Sequence, residues 1–110
     1  MRMIAAVFLA ALALSGEAFA KEGTLAAACQ AEANAGYARA WRLEPSLRPA
    51  IADHRARMSA ACARVAAEKA AALNACLAEA ARGPRHVQRG RNTDRDHIVR
   101  QKTLCRQLAS

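Results

Sequence analysis

Two stretches of this chain repeat one another around cysteines, and this repeat constrains the fold more than any single residue does. Each copy has a cysteine followed three residues later by a glutamate, and further along an Asp-His pair, an arginine and a second cysteine. The first copy covers residues 29–65 and the second covers residues 76–108. The equivalent positions are Cys29 and Cys76, Glu32 and Glu79, Asp53 and Asp96, His54 and His97, Arg57 and Arg100, and Cys62 and Cys105. A duplicated unit with two cysteines predicts one small domain built from two similar halves.

The N-terminus has the features of a cleaved secretory signal peptide. A basic start precedes an apolar run over residues 4–14, and Ala18 and Ala20 place small residues where a signal peptidase cuts. The run is too short for a transmembrane helix, which needs about 20 residues, and no later segment is apolar enough. The sequence therefore predicts a bacterial signal peptide over residues 1–20. It also predicts a single domain over residues 21–110 that is periplasmic or secreted and has no transmembrane segment.

Four cysteines in an exported chain are expected to pair, because that compartment oxidises thiols and small cores need covalent support. Most of the 54% hydrophobic composition is alanine, which favours helix but contributes little buried area. The cysteine spacings of 33, 14 and 29 residues differ from the Cys-x-x-Cys pattern of redox and metal sites. We predict two structural disulfides, made by Cys29, Cys62, Cys76 and Cys105.

The helical pattern predicts an all-α fold with three main helices after the signal peptide. Apolar residues recur at every fourth position over residues 24–43 before a proline ends the helix. No glycine or proline interrupts residues 50–82, so one long helix is expected up to the Gly-Pro pair that follows. An arginine-rich loop over residues 84–92 then leads to a last helix over about residues 93–109.

The expected long helix determines the cysteine pairing. Cys62 and Cys76 lie 14 residues apart on it, or about 21 Å along the axis, which excludes a bond between them. Cys29 and Cys62 lie at similar distances from the first turn, so an antiparallel hairpin brings them level. The repeat then pairs Cys76 with Cys105. The predicted architecture is two disulfide-stapled antiparallel helical hairpins that share a long central helix.

Each copy of the repeat also contains a glutamate and an arginine that could pair. In hairpins aligned at the cysteines, the glutamate lies about 4.5 Å from the bridge along the axis and the arginine about 7.5 Å on the same side. An arginine side chain spans that difference easily. We predict ion pairs between Glu32 and Arg57 and between Glu79 and Arg100, each worth at most about 1 kcal/mol if exposed.

The duplicated Asp-His pairs allow two interpretations. Each histidine lies at the edge of a helical stripe that is expected to be buried, where a packed histidine oriented by a neighbour is the plain expectation. A histidine beside a carboxylate also suits a transition-metal site. The ligands of such a site would be Asp53, His54, Asp96 and His97, with His86 as a further donor.

Positive charge is concentrated around the predicted loop. The chain has 17 basic and 9 acidic side chains and a net charge of +8. The candidate anion-binding strip consists of Arg82, Arg85, Arg89, Arg91 and Arg95. A strip of this kind can bind anionic groups of the cell envelope, or it can simply be a solvated loop. Nucleic acid is disfavoured by the export signal and because no aromatic residue lies among these arginines to stack on bases.

The sequence predicts neither an enzyme nor a cofactor, since no serine or free cysteine has an evident base and no glycine-rich phosphate loop occurs. The expected function is that of a small exported, non-catalytic helical protein. It would act as a structural or binding module that contacts an anionic envelope component or a partner protein through the strip. The alternative is a periplasmic transition-metal-binding protein that uses the duplicated Asp-His pairs. The sequence leaves the oligomeric state open.

Overall fold

The computed structural model describes residues 23–83 and 94–110, and these residues are helical without strands. The predicted all-α class is therefore confirmed for this part of the chain. The predicted signal peptide and the loop over residues 84–92 lie outside the described residues. The helices are α1 over residues 23–35, α2 over Ala38–Leu43, a 3-10 turn over Pro45–Leu47, α3 over Arg48–Glu68, α4 over Ala70–Arg82 and α5 over Arg95–Ala109.

The first predicted helix, residues 24–43, is interrupted at Gly36 and Tyr37. The amide of Gly36 still donates to the carbonyl of Glu32 at 3.0 Å, but Tyr37 then adopts left-handed geometry with φ 61° and ψ 29°. A Cβ placed on Gly36 would lie 2.6 Å from Cε1 of His97. Glycine is needed at position 36 because the imidazole ring occupies the space of a side chain.

The predicted long central helix is wrong, because the chain turns back at Lys69. The amide of Lys69 donates to the carbonyl of Val65 at 2.8 Å and closes α3, while its own carbonyl accepts from the amide of Ala72 at 3.1 Å at the start of α4. Lys69 has φ 54° and ψ −127°, which lies outside the regions favoured by L-residues and costs about 1 to 3 kcal/mol.

The turn at Lys69 packs α3 against α4. Nδ1 of His54 lies 3.3 Å from Oε2 of Glu79, although the two residues are 25 positions apart. In one straight helix their Cα atoms would be about 38 Å apart. The two helices are therefore antiparallel neighbours in the bundle.

Contacts of α1 with α3 also run in opposite chain directions. The side chain of Gln30 donates to the carbonyl of Ser59 at 3.0 Å, and Nη2 of Arg55 donates to the carbonyl of Gly36 at 2.9 Å. As the residue number rises along α1, the number of its partner on α3 falls. The two helices are therefore antiparallel.

The helix α5 lies antiparallel to α1. The side chain of Gln101 donates to the carbonyl of Cys29 at 3.2 Å, and His97 contacts Glu32. Since α1 and α4 both run opposite to α3, α5 also runs opposite to α4. Within the described residues, α1, α3, α4 and α5 thus form an antiparallel helical bundle in which the two copies of the repeat face each other.

Both predicted disulfides are present. They join Cys29 to Cys62 and Cys76 to Cys105, with Cα atoms 5.9 Å and 6.0 Å apart. Each bridge therefore lies within one copy of the repeat. The core around them consists largely of small side chains, namely Cys29, Ala33, Met58, Cys62, Val65, Ala72, Cys76, Ala80, Cys105 and Leu108. No described helix is both long enough and apolar enough to cross a bilayer.

Candidate functional site: a histidine and glutamate centre around Tyr37

Two polar clusters connect the copies of the repeat. In the first, Glu79 of α4 accepts hydrogen bonds from two residues of α3. Nε of Arg57 lies 2.8 Å from Oε1, and Nδ1 of His54 lies 3.3 Å from Oε2. Because an ionised carboxylate can only accept, the proton of the His54 ring lies on Nδ1.

The second cluster repeats this geometry with the copies exchanged. Glu32 of α1 accepts from two residues of α5. Nε of Arg100 lies 2.6 Å from Oε1, and Nδ1 of His97 lies 2.9 Å from Oε2. In both clusters the glutamate belongs to one copy and the histidine and arginine belong to the other.

The predicted ion pairs are therefore wrong in their partners, although the same four residues pair. Glu32 binds Arg100 rather than Arg57, and Glu79 binds Arg57 rather than Arg100. Arg57 also forms an ion pair with Asp53 one helical turn away. The disulfides thus hold each copy together, while the ion pairs hold the two copies to each other.

Tyr37 lies between the two histidines. Its ring centroid is 5.5 Å from that of His54 and 5.3 Å from that of His97, with interplanar angles of 82° and 74°. These are edge-on contacts of the kind that aromatic rings prefer. The residue is 2% exposed and its hydroxyl has no hydrogen-bond partner in the described residues. Burial, together with the charges of Asp94 and Glu79, raises the pKa of Tyr37 to about 12.

The two clusters perturb the titration of their members. Burial is the largest effect on His54 and lowers its pKa below the usual 6.5, although Glu79 acts in the opposite direction. Burial acts to raise the pKa of Glu32, but the hydrogen bonds and charges of His97 and Arg100 outweigh it and bring that pKa below 4.5. The centre therefore favours a neutral His54 and an ionised Glu32 near neutral pH.

The residues of the metal hypothesis are not brought together as a ligand set. Asp53 and Asp96 are exposed, whereas His54 and His97 are buried and point their Nδ1 atoms at glutamates. The described part of the chain contains no group of three or more histidine, cysteine, aspartate or glutamate side chains that could hold a metal ion. The further candidate His86 lies outside the described residues.

Comparisons with protein-family models, with curated proteins and with solved structures each returned no match.

Only the two ends of the candidate anion-binding strip lie in the described residues. Arg82 is exposed at the end of α4, and Arg95 is exposed at the start of α5. Arg85, Arg89 and Arg91 lie outside the described residues. Arg82 follows Cys76 by six residues and Arg95 precedes Cys105 by ten, so both described ends belong to the second copy of the repeat.

Three residues that the sequence interpretation did not single out contribute to the centre or its surroundings. Gln101 is fully buried, and its amide nitrogen lies 3.2 Å from Sγ of Cys29 and 3.5 Å from Sγ of Cys62. Gly36 leaves room for His97, and Arg55 lies 4.8 Å above the ring of Trp41. A glutamine in an otherwise apolar stripe and a glycine inside a helical pattern are the signals that could have found the first two.

The pKa directions predict that acid destabilises the fold. For His54, the unfolded chain binds a proton more readily, so its contribution to stability is complete above pH 6.5 and is lost as the pH falls toward its lowered folded pKa. The contribution of Glu32 is complete above pH 4.5 and is lost as the pH falls through its own lowered folded pKa. The midpoint of thermal unfolding should therefore be level above about pH 7, fall as the pH drops below 6.5, and fall further below pH 4.5. His54→Gln should flatten the upper part of this profile, and a midpoint that rises on acidification would contradict the assignment.

Proposed function

We propose that this chain is an exported, non-catalytic binding module that holds anionic material of the cell envelope on its arginine strip. The observation that carries the proposal is the distribution of charge. The net charge is +8, and the strip contributes Arg82, Arg85, Arg89, Arg91 and Arg95 with a single aspartate among them in the sequence. A concentration of positive charge of this kind attracts polyanions at long range.

Three glutamates of the bundle are bound by partners within it. Glu32 and Glu79 are bound by the buried histidines and by arginines of the opposite copy. Glu68 is bound by Arg64 one helical turn away on α3. These three acids are therefore not placed to neutralise the strip, and Asp94 is the one acidic residue that lies within it in the sequence.

Burial of the histidines supports a non-catalytic role. His54 is 1% exposed and His97 is 6% exposed, so a substrate in solution has no access to either ring. Their hydrogen bonds to Glu79 and Glu32 join the two copies of the repeat, which is a structural role. In this proposal the centre around Tyr37 stabilises the helical bundle, and the strip binds the anionic material.

Two observations support export. The sequence begins with a segment that has the features of a secretory signal, and both pairs of cysteines form disulfides. Disulfides persist in the periplasm and outside the cell, whereas cytosolic thiols are kept reduced. We place the oxidised mature chain, residues 21–110, in the periplasm or outside the cell.

The test is the binding of the mature chain to vesicles that contain phosphatidylglycerol, with vesicles of phosphatidylcholine as the neutral reference. Binding should occur only with the anionic vesicles. It should weaken steeply between low and high salt, because the Debye length falls from about 30 Å at 0.01 M to about 3 Å at 1 M. Salt-insensitive binding, or equal binding to both vesicles, would overturn the proposal.

A charge-matched pair of variants locates the surface. The strip variant combines Arg85→Gln, Arg89→Gln and Arg91→Gln. The control combines substitutions of exposed arginines on α2 and at the end of α5, namely Arg39→Gln, Arg42→Gln and Arg106→Gln. At about 1 kcal/mol for each basic residue near an anionic surface, the strip variant should bind about 100-fold more weakly. An equal loss in the control would show that net charge, rather than the strip, determines binding.

A further inference from the structure

We propose that this chain forms a domain-swapped dimer with a second copy of itself by opening at Lys69. In the open form, α3 and α4 join into one helix from Arg48 to Arg82. The first copy of the repeat in one protomer then packs on the second copy of the repeat in its partner. This proposal is independent of anion binding and rests on three features of the bundle.

The first feature is the division between covalent and non-covalent links. Both disulfides lie within a copy of the repeat, joining Cys29 to Cys62 and Cys76 to Cys105. In the described residues the backbone around Lys69 is the covalent connection between the copies. The copies can therefore exchange partners without breaking a disulfide.

The second feature is the hinge itself. Lys69 has φ 54° and ψ −127°, a conformation that glycine tolerates and L side chains resist. The segments on either side are rich in alanine and contain neither glycine nor proline from residue 50 to residue 82. Opening relieves the strain and places Lys69 in helical geometry, which its neighbours favour. A short strained hinge of this kind promotes swapping.

The third feature is the chemistry of the surface that opening uncovers. Separation of the copies leaves His54 and Arg57 without Glu79, and it uncovers the amide of Gln101, which otherwise lies against the Cys29 bridge. His54 and Arg57 need a carboxylate at the position of Glu79, and Gln101 needs a carbonyl at the position of Cys29, each on a neighbouring antiparallel helix. A second copy of the chain supplies the whole set in the same register.

Because the two protomers have the same sequence, the exchanged contacts are the same as those of the closed chain. In the swapped dimer, Glu32 of one protomer meets His97 and Arg100 of the other, with the distances of the closed chain. The dimer is therefore stabilised by release of the backbone strain at Lys69, and it keeps the contacts between the first and second copies of the repeat. The loss of translational freedom on association opposes it, so the dimer should be favoured at high protein concentration.

The first experiment measures the molar mass of the oxidised mature chain by size-exclusion chromatography with light scattering, after refolding at low and at high protein concentration. A monomer is expected at low concentration and a dimer at high concentration. Lys69→Gly relaxes the closed hinge and disfavours the continuous helix, so the dissociation constant of its dimer should rise by about 100-fold, since two hinges contribute. Lys69→Ala is the matched control, because it removes the same side chain but keeps an L-residue. It should dimerise at least as well as the wild type.

The second experiment distinguishes exchange from side-by-side association. In Arg100→Lys, a carbodiimide can join the carboxylate of Glu32 to the amine introduced at position 100. Equal amounts of ¹⁴N- and ¹⁵N-labelled protein are refolded together at high concentration, cross-linked and digested. The dimer fraction should contain linked peptides of mixed isotope, about half of the total for random pairing. The monomer fraction should contain only linked peptides of one isotope.

Three results would overturn the proposal. The first is a wild type and a Lys69→Ala variant that both remain monomeric at every concentration. The second is a Lys69→Gly variant that dimerises as strongly as Lys69→Ala. The third is a dimer fraction without mixed-isotope links, which would show that the copies associate without exchange.

Discussion

Removal of either disulfide by paired alanine substitutions is expected to lower the free energy of unfolding by about 3 kcal/mol, and removal of both is expected to leave the chain largely unfolded. The bridges close segments with sequence separations of 33 and 29, for which chain entropy gives losses of this size. The stability of a domain of this length is only about 5 to 10 kcal/mol. Because the separations are similar, the two single-bridge variants should differ mainly through their native environments. The measurement is urea unfolding followed by circular dichroism.

The environment of the first bridge predicts which of the two single-bridge variants is less stable. Cys29→Ala with Cys62→Ala removes the sulfur atoms that lie against the buried amide of Gln101, whereas the second bridge has no such contact in the described residues. The first variant should therefore be the less stable. The control is a reductant, which should lower the unfolding midpoint of the wild type and leave the circular dichroism spectrum of the variant without cysteines unchanged. A wild type whose unfolding midpoint resists complete reduction would contradict the role of the bridges.

The cysteine pairing was predicted correctly, but one step of its reasoning does not hold in the structure. A continuous helix would have kept Cys62 and Cys76 about 21 Å apart. In the structure the chain turns back at Lys69, and each of these cysteines lies seven residues from the turn. They are therefore at similar heights in the bundle. The antiparallel hairpin that brings Cys29 level with Cys62, and the repeat that assigns one bridge to each copy, both hold in the structure.

The turn at Lys69 could not be predicted from local sequence. Its neighbours favour helix, and no glycine or proline marks the position. Tertiary packing provides the reason for the turn, since it buries Ala72, Cys76 and Ala80 of α4 in the common core. It also brings Glu79 to His54. A backbone strain of about 1 to 3 kcal/mol is small beside the burial of a whole helix face.

The partners of the ion pairs were wrong for a geometric reason. Distance along the helix axis placed each glutamate near the level of an arginine, and that part of the prediction holds. In a bundle of two equivalent copies, however, Arg57 and Arg100 lie at equivalent heights, so height cannot distinguish them. The choice depends on the direction in which Glu32 and Glu79 point around their helix axes. Both point to the opposite copy.

Glu79→Ala is expected to lower the free energy of unfolding by about 3 kcal/mol, because it removes the acceptor of a buried histidine and of an arginine. The side chain of Glu79 is 11% exposed and that of His54 is 1% exposed, so water replaces little of the loss. The matched control is Glu68→Ala, which also removes a glutamate bound to an arginine. The Glu68 side chain is 48% exposed, and its loss should cost less than about 1 kcal/mol. Equal effects of the two substitutions in urea unfolding would contradict the buried role of Glu79.

A pair of double-mutant cycles then tests which copy of the repeat supplies the arginine that binds Glu79. Combination of Glu79→Ala with Arg57→Ala should give a measurable coupling of up to about 1 kcal/mol, since Nε of Arg57 lies 2.8 Å from Oε1 of Glu79. Combination of Glu79→Ala with Arg100→Ala should be additive, because Arg100 is bound to Glu32. Coupling in the second cycle alone would instead show that Glu79 pairs with Arg100 of its own copy. Coupling in the first cycle alone would show that the ion pair of Glu79 joins the two copies of the repeat. The disulfides cannot do so, because each lies within one copy.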